Sequence, residues 1–374
     1  MNVALVHDWL NGMRGGEKVL EVLIDLFPQA DLFTLFYEPA RVSAKIRAMR
    51  PRASLLQRLP GAGRRYRHLL PLYPWAIRRF DLSSYDAVIS SSHCAAKGVR
   101  LAPGQVHVCY CHAPMRYIWD QYKAYFGGPN RWRPASIAMR LFAGRLRRWD
   151  FATAQTVTAF IANSAAVAER IAACYGRPST IVHPPADTDR FRPAGIGPGE
   201  HFLTVAALVP YKRIELAIAA CNRLRRPLVV VGQGPERRRL EALAGPTVTF
   251  RGWVSDDELV ALYNGCRALL YPGEEDFGIA MVEAQACGRP VVALRKGGAR
   301  EIVLDRRTGL LFDEPSVEAL CAAITQFDRI VFDRGVIRAH AEHFGGDRCR
   351  RELGETLYSV LHEHGIQTPS PIAL

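Results

Sequence analysis

Residues 268–287 read ALLYPGEEDFGIAMVEAQAC, and the architecture can be predicted outward from this stretch. Residues 268–271 form a short apolar run that predicts a buried parallel strand, which Pro272-Gly273 ends. Residues 279–287 then show the apolar spacing of a helix. A strand that leads through a short loop into a helix is the repeating unit of α/β folds. The sequence therefore predicts parallel sheets covered by helices.

Two glutamates of this stretch, Glu275 and Glu283, flank the predicted start of the helix. Backbone N–H groups at a helix N-terminus have no helical partner and suit a phosphate. Carboxylates only accept hydrogen bonds, so they are poor phosphate ligands but can accept from sugar hydroxyls on either side of a diphosphate. A nucleotide-sugar has that layout. The alternative is that each glutamate only stabilises the helix dipole.

The stretch resembles the motif of two glutamates separated by seven residues in the retaining glycosyltransferases of family 4. Residues 284–292, Gly297-Gly298 and Glu301 extend the resemblance, which covers nearly the whole chain and is strongest over residues 200–312. Sequences with Glu-Glu-Asp-Phe-Gly-Ile here resemble mannosyltransferases of bacterial polysaccharide assembly. The resemblance implies the GT-B fold, with two doubly wound Rossmann-like α/β domains that face a cleft and a C-terminal helix that crosses back to the first domain.

Strand-like and helical patterns alternate along the whole chain, as in doubly wound sheets. Strands are predicted at residues 3–7, 30–33, 87–90, 106–111, 159–163 and 180–183, and again at 202–207, 228–231, 248–250, 268–271, 290–294 and 309–312. Between the two series lies a segment rich in proline and glycine, which predicts a linker. The predicted organisation is a first, acceptor-side domain (1–187), a linker (188–199), a nucleotide-sugar-binding domain (200–345) and a returning C-terminal helix (346–374).

Lys212 follows the first strand of the predicted second domain, where a cation can neutralise the charge on a departing diphosphate. The family often has Gly-Arg where this chain has Ala206-Ala207, so the resemblance implies that Lys212, aided by Arg213, makes the phosphate contact. It also implies that Glu275 orients the hexose and that Glu283 holds the ribose hydroxyls. The backbone amides expected at the diphosphate are those of Phe277, Gly278 and Ile279.

Trp253 and Val254 follow a predicted strand and resemble the family's base-binding loop. A plain strand-to-helix turn explains them equally well. Ser255 is expected to cap the next helix, because Glu258 lies three residues later and completes a capping box. Trp253 and Val254 are therefore candidate contacts of the nucleotide base.

The first predicted domain carries a second group of candidates. Gly15-Gly16 precede a predicted helix and can form a backbone cradle for an anion. Their spacing matches neither the dinucleotide-binding nor the P-loop glycine motif, so neither function is expected. His112 ends an apolar strand, and it is either a packed strand-end histidine or, as the resemblance implies, a group that approaches the transferred sugar. Arg116 and Asp120 are candidate acceptor-side groups.

The formal net charge of +13 is unevenly distributed. Residues 41–80 contain eleven lysines and arginines and no acid, interleaved with leucines and aromatic residues. Such a segment is typical of proteins that lie on an anionic membrane surface, and a solvated basic face is the alternative. A second basic stretch runs from Arg131 to Arg148. No nucleic-acid-binding motif accompanies the charge, so no nucleic-acid partner is expected.

The cysteines and the apolar runs predict the compartment. Nine cysteines without a Cys-x-x-Cys pair indicate a reduced cytosol without a disulfide framework. No apolar run reaches the roughly 18 residues of a membrane span, so a cytoplasmic protein, peripheral at the inner membrane face, is predicted. Asp187-Thr-Asp189 resembles the metal signature of the other glycosyltransferase fold, but it lies in the predicted linker, where turns favour aspartate. Neither a metal nor another cofactor is expected.

These patterns and the resemblance together predict a retaining glycosyltransferase. The best prediction for the donor is GDP-mannose, on resemblance alone, and the acceptor is predicted to be a lipid-linked sugar or a glycan in cell-surface polysaccharide biosynthesis. The alternatives are a nucleotide-sugar epimerase or hydrolase on the same fold, and a non-catalytic basic protein that binds membranes or nucleic acid.

Overall fold

The computed structural model describes residues 1–119, 122 and 134–367, with the backbone alone at residues 64, 65 and 134–139. The chain divides into two compact units. The first unit comprises Met1–Pro185 and Asp347–Leu374, and the second comprises Ala186–Gly346.

The described part of the first unit is built on a parallel sheet. Its strands are β1 (Val3–His7), β2 (Asp31–Thr34), β3 (Arg52–Ala53), β4 (Ala87–Ser92), β5 (Val106–Cys111), β6 (Ala159–Ala162) and β7 (Thr180–Ile181). They lie in the order β3-β2-β1-β4-β5-β6-β7. In the register of the central strands, Val6 pairs with both Phe33 and Ser90. All residues of β1 are buried, as expected for a central parallel strand covered on both faces.

Helices cover both faces of this sheet. They are α1 (Gly15–Leu26), α2 (Ala44–Ala48), α3 (Ala62–Arg65), α4 (Tyr73–Ile77), α5 (Pro134–Ala154) and α6 (Ala165–Tyr175). Leu20 of α1 packs in the core cluster on one face. Ile77 of α4 and Leu146 of α5 pack together in the cluster on the other face.

The second unit repeats this architecture. Its strands are β8 (Phe202–Val205), β9 (Leu228–Val231), β10 (Val248–Gly252), β11 (Leu269–Tyr271), β12 (Val291–Leu294) and β13 (Gly309–Phe312). They form a parallel sheet in the order β10-β9-β8-β11-β12-β13. The helices that follow are α7 (Ile214–Leu224), α8 (Arg237–Leu243), α9 (Asp256–Gly265), α10 (Ile279–Ala286), α11 (Ala299–Ile302), α12 (Val317–Phe327), α13 (Arg334–Glu342) and α14 (Gly346–Glu363).

The last helix, α14, belongs almost entirely to the first unit. Leu353, Leu357 and Leu361 are fully buried and pack in the same core cluster as Leu20 of α1. The predicted return of the C-terminal helix to the first domain is therefore confirmed, as is the prediction of two doubly wound α/β domains.

Residues 188–199, which the sequence analysis assigned to a linker, are held by polar side chains of the second unit. Arg338 donates hydrogen bonds to the carbonyls of Thr188 and Phe191. Arg289, which is almost fully buried, donates to the carbonyls of Ile196 and Gly197. The segment thus lies on the second unit as ordered backbone.

The strand order places one ligand-binding edge in each unit. In doubly wound sheets, ligands bind beyond the carboxyl ends of the strands where the strand order reverses. The order reverses between β1 and β4 in the first unit and between β8 and β11 in the second. The segments that follow these strands contain most of the candidate residues.

Candidate functional site

In the second unit, Lys212 and Glu275 meet at the point where the strand order reverses. Lys212 ends a short 3-10 turn (Pro210–Lys212) after β8, and only 9% of its surface is exposed. Its Nζ donates a hydrogen bond to Tyr271 Oη (2.9 Å) and forms an ion pair with the Glu275 carboxylate. Tyr271, the last residue of β11, donates its hydroxyl to Glu275 Oε2 (2.9 Å). Because a buried ammonium needs such partners, the three side chains form one charged cluster.

A second loop fixes the backbone that carries Glu275. The Gly298 N–H donates to the Glu275 carbonyl (2.9 Å), and Glu275 also forms a β-bridge with Gly297. A Cβ on Gly298 would lie 2.0 Å from the Phe277 carbonyl oxygen. Only glycine permits this close approach, so the loop after β12 determines where Glu275 lies.

Helix α10 begins at Ile279, directly after this loop. Gly278 is its N-cap with φ of 104°, a conformation that favours glycine. Since glycine offers no capping side chain, the first amides of the helix can bind an anion. Phe277 is buried and packs edge-on against Phe344 (5.7 Å between ring centroids), which anchors the start of the helix.

Glu283 lies within α10 and is half-buried. Its Oε2 accepts a hydrogen bond from Tyr263 Oη in α9 (2.9 Å). Burial, together with the charge of Glu283, raises the pKa of Tyr263 well above its usual range, so the phenol stays a donor. Tyr263 therefore fixes one carboxylate oxygen of Glu283.

In the first unit, His112 lies at the corresponding edge of the sheet. It directly follows β5, and its Nε2 is 2.8 Å from Ser91 Oγ of β4. Ser91 Oγ is also 3.1 Å from Nδ1 of His7, the last residue of β1. Gly16, which follows Gly15 at the start of α1, lies close to the His112 ring. A Cβ added to Gly16 would be 3.4 Å from His112 Nε2. The structure thus brings Gly16 and His112 together.

Buried charges surround this cluster. Asp8 accepts hydrogen bonds from four consecutive backbone amides, of His93, Cys94, Ala95 and Ala96. Burial raises the pKa of Asp8, but the charge of His93 and these amides outweigh it, so the pKa is lowered. Burial, with contributions from His93 and His7, lowers the pKa of His112 to about 3. The His112 ring is therefore neutral at neutral pH.

The remaining predicted residues have different surroundings. Arg213 has φ of 52°, and its Nε donates to Glu215 Oε1 (2.7 Å), so its guanidinium is directed towards α7. Trp253 is 75% exposed, whereas Val254 packs against the core of the second unit. Arg116 is half-buried in the loop after β5.

Two further predictions from the sequence concern Asp120 and the helix cap at Ser255. Asp120 lies outside the described residues. The capping box of Ser255 and Glu258 is present at the start of α9.

Two family profiles match the chain and together span residues 15–329. The profile described as Glycosyltransferase Family 4 matches residues 15–190, and that described as Glycosyl transferases group 1 matches residues 187–329. The chain belongs to the family 4 glycosyltransferases. In this family 4 glycosyltransferase, the first match contains the cluster of Gly16 and His112, and the second contains that of Lys212 and Glu275.

Curated relatives match part of the chain. A GDP-mannose-dependent alpha-(1-6)-phosphatidylinositol monomannoside mannosyltransferase of Mycolicibacterium smegmatis is 33% identical over 186 residues, which are 41% of this chain and 49% of the relative. A D-inositol 3-phosphate glycosyltransferase of Mycobacteroides abscessus is 32% identical over 188 residues, which are 44% of this chain and 42% of the relative. The match spans about half the length of these relatives.

Solved structures are similar over the whole chain. Alr3699/HepE of Anabaena, in complex with UDP, has a TM-score of 0.68 at 17% identity and covers 96% of this chain and 100% of its own. Sucrose-phosphate synthase of Thermosynechococcus elongatus has a TM-score of 0.71 at 17% identity, covering 97% of this chain and 100% of its own. At this identity the likeness shows the fold, and the predicted GT-B fold is confirmed.

Sequence reasoning missed the side chains that hold the candidate groups of this glycosyltransferase. Tyr271 and Tyr263 each donate a hydroxyl to one of the two glutamates. Ser91 and His7 form hydrogen bonds in the His112 cluster. Tyr271 and His7 could have been found, because each is a polar residue at the end of an apolar strand. Tyr263 had no such signal, since it lies mid-helix.

Among the described residues, no group of His, Cys, Asp or Glu side chains is arranged to hold a metal ion. Asp187 accepts a hydrogen bond from the Arg190 amide (3.1 Å), as aspartates in turns do. Within the same described ranges, no helix has the length and apolar character needed to cross a bilayer.

Proposed function

We propose that this glycosyltransferase moves a hexose from a nucleotide diphosphate donor to an acceptor hydroxyl with retention of the anomeric configuration. The observation that carries the proposal is the buried cluster of Lys212, Tyr271 and Glu275 beside the N-terminus of α10. It brings a cation and a carboxylate next to the first amides of a helix. A diphosphate with sugars on both sides needs this combination.

Each group has a role in the proposed reaction. The amides of Phe277, Gly278 and Ile279 bind the diphosphate together with Lys212, while Glu283 accepts from the ribose and Glu275 from the hexose. The bond from the anomeric carbon to the diphosphate breaks with both electrons going to the phosphate oxygen. The acceptor oxygen bonds to the same face of that carbon, and its proton passes to the leaving phosphate. Lys212 and the amides stabilise the charge that develops on the leaving group.

GDP-mannose is the donor that we propose. The support comes from two relatives named as GDP-mannose-dependent mannosyltransferases, which are 33% identical over 186 residues and 39% identical over 123 residues of the match. The proposed acceptor is a lipid-linked sugar or a glycan in cell-surface polysaccharide biosynthesis. Incubating the protein with GDP-mannose, UDP-glucose or UDP-galactose, with and without membrane lipid extracts, tests both choices by mass spectrometry.

The outcomes separate the candidate reactions. Transfer predicts a hexosylated lipid or glycan and little donor loss when no acceptor is present. Donor consumption without an acceptor would indicate a hydrolase or an epimerase instead. A nucleoside diphosphate at about 100 times its Kd should also stabilise the folded protein by about 2.7 kcal/mol. The absence of any thermal shift with GDP or UDP would contradict a donor site.

We also propose that the first unit binds the cytoplasmic face of an anionic membrane. Leu72 and Trp75, within residues 41–80, are 44% and 47% exposed. Arg78, Arg79 and Arg100 line an open groove with Trp75 and Trp149. Arg79 stacks over the Trp75 ring at 5.3 Å, and none of the three arginines pairs with an acid among the described residues. Exposed aromatic rings among unpaired arginines suit a lipid interface.

Helix α5 extends this surface. Leu141 is 75% exposed, and it lines a second open groove with Arg140, Arg145 and Arg148. Arg131, which the sequence analysis placed in the same basic stretch, lies outside the described residues. Each cation near an anionic surface contributes about 1 kcal/mol, so removing two of them should weaken binding about tenfold or more.

Co-sedimentation with vesicles tests the membrane surface. The wild-type protein should bind phosphatidylglycerol vesicles and not phosphatidylcholine vesicles, and the double variant Arg78→Ala/Arg79→Ala should bind at least about tenfold more weakly. Arg329→Ala, at an exposed position of the second unit, is the matched control. Equal binding of both variants to the anionic vesicles would show that the surface lies elsewhere.

A further inference from the structure

A chain of buried polar groups leads from Glu17 to His112 in the first unit. Glu17 Oε1 is 3.9 Å from His7 Nε2, and His7 Nδ1 is 3.1 Å from Ser91 Oγ. Ser91 Oγ is in turn 2.8 Å from His112 Nε2. Glu17 is 3% exposed, and neither His7 nor Ser91 has any exposed surface. The four side chains come from α1, β1, β4 and the end of β5, so the fold itself aligns them.

The carboxylate of Glu17 decides which His7 nitrogen carries the proton. Its Oε2 already accepts from the Arg14 amide (2.9 Å), so Oε1 is the atom that faces His7. His7 Nε2 is buried and has no hydrogen-bond partner among the described residues, and this carboxylate oxygen lies 3.9 Å from it. A lone pair of Nε2 directed at a carboxylate would be repelled, whereas an N–H is attracted. A neutral His7 ring therefore carries its one proton on Nε2 and accepts at Nδ1.

The direction of the remaining bonds follows from the donor inventory. Ser91 has one hydroxyl proton, which it donates to His7 Nδ1, because that nitrogen can only accept. Ser91 Oγ must then accept from His112 Nε2–H. We propose that Glu17, His7 and Ser91 are positioning residues that fix His112 as the Nε2-protonated tautomer, so that Nδ1 offers a lone pair to a hydroxyl of the substrate.

The surroundings of His112 leave Nδ1 available for this role. The backbone of His112 is held by the Ser92 carbonyl (2.8 Å) and by Asn163 Nδ2 (3.1 Å). Nδ1 makes no hydrogen bond to any residue that the structure describes. Burial also lowers the pKa of His112, which keeps the ring neutral and able to accept. The assignment of this hydroxyl to a sugar rests on the proposed function, whereas the assignment of the tautomer does not.

Nitrogen-15 NMR of the histidine-labelled full chain tests the tautomer without substrate. The His112 signals are assigned by their loss in His112→Asn. The wild-type spectrum should show a protonated Nε2 and an unprotonated Nδ1, and Ser91→Ala and Glu17→Gln should each give a mixture of tautomers. A protonated Nδ1 in the wild-type protein, or the same single tautomer in both variants, would overturn the proposal.

The neighbouring Ser90 provides a matched control. Its Oγ is 2.8 Å from Nε2 of the fully buried His107, so Ser90→Ala removes the same kind of bond from the same strand. Ser91→Ala should lower kcat/KM for sugar transfer about tenfold, as for one lost hydrogen bond, while Ser90→Ala stays within about threefold. Equal losses in both would assign Ser91 a structural role only. If no transfer is seen in any protein, the NMR result still decides the tautomer.

Discussion

Lys212 is enclosed to a degree that is rare for lysine. Its Nζ lies over the rings of Tyr211 and Tyr271, at 5.4 and 5.3 Å, in addition to its contacts with Glu275 and the Tyr271 hydroxyl. Aromatic faces and a carboxylate both stabilise an ammonium in a dry environment. The cation is therefore positioned in advance, so little reorganisation is needed when charge develops on a leaving group.

Removing either charge of this pair should reduce catalysis. Lys212→Met and Glu275→Gln are each expected to lower kcat about 100-fold or more, because transition-state charge loses its stabilising partner. Initial rates with a saturating donor measure the effect, and melting temperatures show whether each variant is folded. Arg329→Ala should retain normal rates as an exposed cation of the same unit. Wild-type turnover in either site variant would refute the assigned roles.

His107 should make the stability of the protein depend on pH. It is fully buried, and burial lowers its pKa to about 3, whereas the unfolded chain binds the proton near pH 6.5. Between these values the unfolded state binds more protons, so the folded state loses stability as pH falls. The loss attributable to His107 from pH 7 to pH 5 is about 2 kcal/mol. Denaturant unfolding of His107→Gln at pH 7 and pH 5 should show a correspondingly smaller loss, and an unchanged loss would contradict the prediction.

For single residues, the sequence indicated the candidate carboxylates and cations but not the side chains that form hydrogen bonds with them. The spacing of Glu275 and Glu283 around a predicted strand, loop and helix was sufficient to place both near one helix terminus. The hydroxyls that hold them come from Tyr271 and Tyr263, one at the end of a strand and one within a neighbouring helix. Which face of α9 meets α10 is set by packing, and no local pattern in the sequence specifies it.

Among the elements, α5 is attached to the first unit by a buried ion pair. Lys97, in the 3-10 turn after β4, donates to Asp150 Oδ1, and neither side chain is more than 2% exposed. Asp150 Oδ2 accepts from Trp119 Nε1 (2.7 Å) and Tyr175 Oη (2.8 Å). Since every charge here has a partner, the desolvation cost is offset only while the set is complete.

Breaking this ion pair should destabilise the first unit strongly. Lys97→Met leaves the Asp150 charge buried without its cation and should cost about 3–5 kcal/mol. The double variant Lys97→Met/Asp150→Asn should cost less than the sum of the single changes, as measured by denaturant unfolding in a double-mutant cycle. The exposed pair Arg223 and Glu318 is the control, with a coupling of about 1 kcal/mol or less. Additive effects at Lys97 and Asp150 would contradict the prediction.

Elements were predicted best where apolar runs are long. The predicted limits of β1, β5, β9 and β13 agree with the structure. Strand β3 was missed because it has two exposed residues at a sheet edge within the basic segment, where no alternation can be seen. Helix α7 does not follow β8 directly, because the 3-10 turn Pro210–Lys212 comes first and the helix begins at Ile214.

In the whole molecule, the chain uses one architecture twice and places its polar groups differently in each unit. The first unit has buried histidines and acids where its strand order reverses, and arginines around an open groove on its surface. The second unit has carboxylates on both sides of the helix terminus that is proposed to bind the diphosphate. The alternation of strands and helices in the sequence is enough to predict the fold class. The different placement of polar groups in the two units could not be predicted in this way, because only the strand order shows which strand ends are neighbours.

The return of α14 to the first unit makes a final prediction possible. Leu357 is fully buried in the first unit's core although it lies more than 170 residues after Pro185 in sequence. Leu357→Ala should therefore destabilise the first unit by about 2–5 kcal/mol. Tryptophan fluorescence monitors the unfolding of the first unit, because all but one of the six tryptophans precede residue 150. Val331→Ala, at a position that is 98% exposed, is the control. Thermal stabilisation of the second unit by GDP should persist in Leu357→Ala. An unchanged fluorescence transition in that variant would show that α14 does not stabilise the core of the first unit.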